Sequence, residues 1–238
     1  MKKYFFLPLF SVLFFSGCAE LTQIVNSTTA GEPTNAEVSE GLKQALNMGI
    51  SKGADQLSAA DGYFKSPYKI LLPAEARKIT DKLSVIPGFT DLENIIVEKI
   101  NRGAEDAASK AKPIFVSAIK QMSIGDVFNV LMGPDDAATQ FLKKATYNNL
   151  YAEFQPVIVN SLNKFNALSL WSDAVNKYNN LPFVTKMNPA LDQYVTDQAL
   201  DGLFKMVANE EKEIRRNPVK RITELLKKVF AKQDANRG

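Results

Sequence analysis

Apolar residues recur three and four positions apart along most of this chain, and no stretch keeps up the two-residue alternation of a half-buried strand. Val38, Leu42, Ala45, Leu46 and Gly49 share one face of a helix that Thr34-Asn35-Ala36-Glu37 opens as a capping box, and the spacing carries it to Leu57. A shorter helix follows from Ala74 to Val85, stopped by Pro87-Gly88. Thr90 and Glu93 predict a second capping box, after which Leu92, Ile95, Ile96, Ile100, Gly103, Ala107 and Ala111 form one stripe that turns from bulky to small. Small residues at four-residue steps let a neighbouring helix come close.

Further starts are expected at Pro113, at Ser123 (a brief helix to Met132), after Gly133-Pro134-Asp135-Asp136, at or around Pro156, and at Asn188-Pro189. The Asn188-Pro189 helix extends to Arg216. Pro218 opens the last one, with Val219, Ile222, Leu225, Leu226, Val229 and Phe230 turned inward. Only Asp61 to Pro73 resists a helical reading. Gly62, Pro67 and Pro73 interrupt it while Tyr63, Phe64, Tyr68, Ile70, Leu71 and Leu72 supply bulk, so it is expected as an irregular or extended segment across the helices, with room for a short β-bridge. The fold class is all-α: one multi-helix, bundle-like domain over 34–238.

The first 33 residues follow a different pattern. Lys2-Lys3 precede an apolar run from Tyr4 to Phe15, too short to span a bilayer, and small Ser16 and Gly17 lead to Cys18, the chain's one cysteine. Residues 1–17 therefore predict a secretory signal peptide that is removed. Phe15-Ser16-Gly17-Cys18 resembles the lipobox of bacterial lipoproteins, although leucine is commoner where Phe15 stands. That resemblance implies acylation of Cys18 and an anchor in the membrane, with 18–33 as a lipidated tether. Ala19 in place of aspartate leans toward the outer membrane, facing the periplasm.

Charge and composition then narrow the chemistry. The chain carries a net charge of +3, and +1 once the leader is gone. From Lys205 onward ten Lys and Arg face five Asp and Glu, whereas Cys18 to Phe204 has a net charge of −4. Histidine is absent, which removes the commonest general base and metal ligand. With Cys18 committed to lipid, no metal or other cofactor is expected.

Several stretches together resemble one family: Gly41 to Leu46, Ala111 to Phe115, Ile119 to Met122, Asp135 to Thr139, Ala199 to Phe204 and Leu225 to Phe230. They are similar to the bacterial domain-of-unknown-function 4197 family, which is helical and often carries a lipoprotein signal. The resemblance implies a class and no activity, and no residue inherits a catalytic role from it.

Chemistry-bearing motifs are sparse. Gly49-Ile50-Ser51-Lys52-Gly53 fits the G-x-S-x-G elbow of hydrolases, but it falls inside a helical pattern in a chain without histidine. Ser66-Pro67-Tyr68-Lys69 fits the serine–lysine S-x-x-K pattern, as do Ser109–Lys112 and Ser161–Lys164, without a K-T-G companion. Asp135-Asp136 suits helix-dipole compensation better than a cation loop. Glu210, Glu211 and Glu213 read as a solvated ion-pair face with Arg215 and Arg216. The most suggestive surface is the basic tail: Arg215, Arg216, Lys220, Arg221, Lys227 and Lys228 around an apolar stripe offer a seat for an anionic partner, or for nothing beyond water. An apolar groove lined by Phe64, Phe115, Phe128 and Trp171 is a further candidate, one that core packing explains equally well.

The expectation is thus a non-enzymatic envelope binding or scaffolding module for a lipid or partner protein. Its alternatives are an envelope enzyme using Ser, Lys or carboxylates, and a structural spacer. Nucleic acid is not expected as a partner.

Overall fold

A computed structural model describes residues 33–164, 166–187 and 190–235. The expected leader at 1–17, Cys18, the expected tether as far as residue 32 and the expected Asn188-Pro189 start lie outside the described residues. About three quarters of the described residues are α-helix: α1 (Asn35–Ser58), α2 (Ala74–Leu83), α3 (Leu92–Ala108), α4 (Ala111–Lys120), α5 (Ile124–Met132), α6 (Ala137–Lys164), α7 (Ala167–Asn179), α8 (Asp192–Arg216) and α9 (Glu224–Ala235), with a 3-10 turn at Pro218–Lys220. No strand occurs among the described residues. None of these helices taken singly is long and apolar enough to cross a membrane.

The predicted stripes are the buried faces, except that Ile95, at the edge of the α3 stripe, is turned out to solvent. Val38, Leu42, Ala45, Leu46 and Gly49 of α1 all lie in the core, as do Ile96, Ile100, Gly103 and Ala107 of α3. Gly103 rests against Ile158 and Ser161, so the small end of the stripe brings α3 onto α6 as its spacing implies. Phe115 and Phe204 meet edge to face at the centre, 5.8 Å between ring centroids. Gly41 allows α9 to press on α1, where a Cβ would stand 2.7 Å from the Val229 side chain.

Several predicted starts move, each for a local reason. Ser123 does cap α5, in a reciprocal box with Asp126, whose carboxyl these hydrogen bonds hold below the usual range. Thr90 does not cap α3. Asp91 precedes the first turn, and Glu93 instead accepts a hydrogen bond from Thr80 of α2. Pro156 interrupts nothing visible, since α6 runs through it from Ala137 to Lys164. The last helix opens at Glu224, because Pro218 is used in the 3-10 turn. Val219 and Ile222, expected inside, are consequently turned out to solvent.

The irregular segment 61–73 is held by side chains that imitate a neighbouring strand. Asn101 of α3 gives its amide to the Ile70 carbonyl and takes the Ile70 N–H, both at 2.8 Å. Glu105 accepts from the N–H groups of Tyr63 and Phe64. Tyr63 is wholly buried and donates to the Ala199 carbonyl of α8 at 2.7 Å; burial pushes its hydroxyl far above the ordinary tyrosine range. Only glycine fits beneath that ring, since a Cβ on Gly202 would lie 2.8 Å from it.

Candidate interaction surface at the α8–α9 turn

Two of the six predicted surface cations are in the interior. Arg215 and Arg221 are 2 % and 3 % exposed, so neither belongs to an anionic-partner surface. Helix ends explain the correction. The last carbonyls of a helix and its first N–H groups have no partner inside it, and buried ends need outside charge. Arg215 donates to the carbonyls of Val130 and Leu131, closing the C-terminus of α5. One turn back on α8, Glu211 accepts from the N–H groups of Ala138 and Thr139 and from the Thr139 hydroxyl, closing the N-terminus of α6. The two side chains bind each other at 2.8 Å. The pair read as a solvated ion pair is a buried staple across three helices.

Arg221 acts likewise on its own chain. It donates to the carbonyls of Ile214 and Arg215 at the end of α8 and grips Asp234 of α9 through two bonds of 2.5 and 3.0 Å. Its guanidinium lies over the Phe230 ring. This one residue ties α9 to the end of α8 and fixes the turn between them, while α9 packs on α1.

The other four cations stay at the surface. Arg216 pairs with Asp135, Lys227 with Glu224 and Lys228 with Glu37, while Lys220 is exposed on the turn. Pairing of this kind dilutes the basic patch. What stands out instead is apolar. Val219 and Ile222 are 84 % and 69 % exposed, at the edge of a groove of about 250 Å³ that runs past Met48, Gly49 and Ile214. Lys52 and Glu210 form an ion pair at its rim, 2.6 Å apart. Just inside, Leu42, Leu46, Ile50, Val207 and Phe230 close on a slot of about 20 Å³, enough for one water. The groove is open and the core behind it is full.

The remaining predicted sites dissolve into structure. Ser66 donates to the Tyr63 carbonyl and accepts from the Tyr68 N–H, while the Lys69 ammonium sits over the Phe64 ring. Gly49 to Gly53 lies within α1. Asp135 faces Arg216, and Asp136 accepts from Gln140. Phe115 and Trp171 are core residues, and Phe64 and Phe128 pack half-buried against that core, so no groove is built from the four. A larger depression of about 500 Å³ lies between α4 and α6, with a mixed lining in which Ser117, Gln121, Thr146 and Asn149 alternate with Ile114, Ala118 and Phe141.

A family model described as "Protein of unknown function (DUF4197)" matches residues 32–231, which takes in the whole helical domain up to the middle of α9. The chain belongs to this family. No curated protein and no solved structure matches it. The DUF4197 match contains the α5–α6–α8 staple and the exposed turn, but ends before Asp234, the partner of Arg221.

Proposed function

We propose that this DUF4197 chain is a lipid-anchored, non-enzymatic binding module of the bacterial cell envelope, tethered through Cys18, most simply at the outer membrane facing the periplasm. Its docking face is the α8–α9 turn, and its partner is an envelope protein segment that is apolar with a carboxylate beside it. The anchor rests on the residues around Cys18. The observation that carries the docking face is the pair Val219 and Ile222, held out in water by the buried Arg221 at the lip of an open apolar groove. Apolar side chains displayed on a fixed turn lower the ordering cost of association. Lys220, between them, supplies the complement for a carboxylate.

The test places a photo-crosslinking residue at Val219 or at Ile222 in the full chain expressed in its native host. Mass spectrometry then reads both the lipid on Cys18 and the crosslinked peptide. An acylated N-terminal cysteine, with crosslinks converging on one apolar, acidic protein segment, is the expected result. Crosslinks to lipid alone, or none, overturn the docking face. A bare Cys18 with the leader in place overturns the anchor.

A further inference from the structure

At the opposite end of α8 two loops carry apolar tips. Residues 180–191 connect α7 to α8, and 84–91 connect α2 to α3. They leave the same end of the domain: Lys82 at the end of α2 reaches the Tyr178 ring at the end of α7, and Lys177 reaches the Phe89 ring in the neighbouring loop. Asn179 clamps the base of the first loop, donating to the Met187 carbonyl at 3.0 Å and accepting its N–H at 2.9 Å. At the tip Phe183 is fully exposed and left-handed, with φ of +62°. A bulky aromatic in that conformation is uncommon and strained, and water alone gives nothing in return. Val85, in the second loop, is 84 % exposed.

We propose that this end of the domain dips into the interface of an anionic bilayer, with Phe183 and Val85 below the headgroups and Lys82, Lys177 and Lys186 among the phosphates. Shape favours lipid over a protein pocket. The two tips are convex and separately solvated, without the surrounding rim that excludes water at protein hot spots, whereas a fluid interface accepts any convex apolar tip. Around the two loops Arg77, Lys78, Lys82, Lys177 and Lys186 lie among the acids Asp81, Asp91, Glu93, Asp173 and Asp192, and the phosphates would meet Lys82, Lys177 and Lys186. The proposal rests on the anchored reading only for bringing a bilayer within reach, and it uses none of the groove residues.

The full chain carrying Phe183→Trp with Trp171→Phe has its single indole at the tip. It is mixed with phosphatidylethanolamine–phosphatidylglycerol vesicles whose acyl chains are brominated. The expected result is a blue-shifted emission that the bromines quench, lost in phosphatidylcholine vesicles and weakened by Lys82→Glu with Lys177→Glu and Lys186→Glu. Separately, adding Phe183→Asp to a chain that carries Cys18→Ser weakens its vesicle binding by about tenfold. A chain that floats with the vesicles while its indole stays unquenched overturns the proposal and leaves the anchor standing. An indole that becomes buried only when envelope protein is added overturns it in favour of a protein partner. Circular dichroism of each variant shows whether the helices are intact.

Discussion

The two ends of α8 are built on one plan with different materials. At its C-terminus the turn bearing Val219 and Ile222 is fixed by a buried cation, Arg221, with two backbone carbonyls and a carboxylate around it. At its N-terminus the loop bearing Phe183 is fixed by one neutral side chain, Asn179, which pairs with Met187 as a strand would. Both hold apolar side chains out in solvent. The charged version is welded to the core through the neighbouring Arg215–Glu211 staple, and removing part of it leaves bare charge behind. The neutral version hangs from half-buried groups and opens at a modest cost. A rigid face suits recognition of one shape, while a loosely clamped tip suits a soft interface.

Breaking the charged end has the largest expected effect. Arg215→Met leaves Glu211 without its buried partner and the α5 carbonyls unpaired, and destabilises the domain by about 3–5 kcal/mol in urea unfolding. Adding Glu211→Gln removes the orphaned charge and recovers about half of that loss; a double variant no better than the single one contradicts the staple. Arg221→Leu costs about 2–3 kcal/mol. It also frees the turn, so protease cleavage near Val219 rises while the Phe183 loop is unaffected.

At the neutral end, Asn179→Ala costs about 1–2 kcal/mol by the same measurement, and amide exchange at Met187 accelerates without change at Val219. If the two clamps respond together, the contrast between them is wrong. The smallest effect has the opposite sign. Phe183→Gly relieves the left-handed backbone and raises stability by roughly 0.5–1 kcal/mol in thermal unfolding, because its gain exceeds the entropy glycine adds to the unfolded chain. A loss of stability there would mean that the ring is packed in water, against its full exposure.

Helical class, the faces of α1 and α3, the Ser123 box and the irregular nature of 61–73 were legible along the chain, because each depends on residues within a turn or two of one another. Periodicity reports which face is buried whatever buries it. The likeness to DUF4197 was visible in the same way, in short runs such as Ala199 to Phe204. Partners distant in sequence decided the rest. Arg215 and Lys220 look alike in a list of basic residues, yet one closes the end of α5, whose Val130 carbonyl lies 85 positions away, and the other faces water. Val219 and Ile222 fit a helical stripe until Pro218 turns the backbone and Arg221 pins it. Asn101 and Glu105 carried no signal, since what they satisfy is the backbone of a segment about 30 to 40 residues earlier, and backbone groups are the same in every sequence. Local pattern therefore determined the helices and their inward faces. Only the packed structure decided which charges serve as fasteners and which apolar side chains remain in water, because the desolvation that separates those fates exists only once the ends of the helices have met.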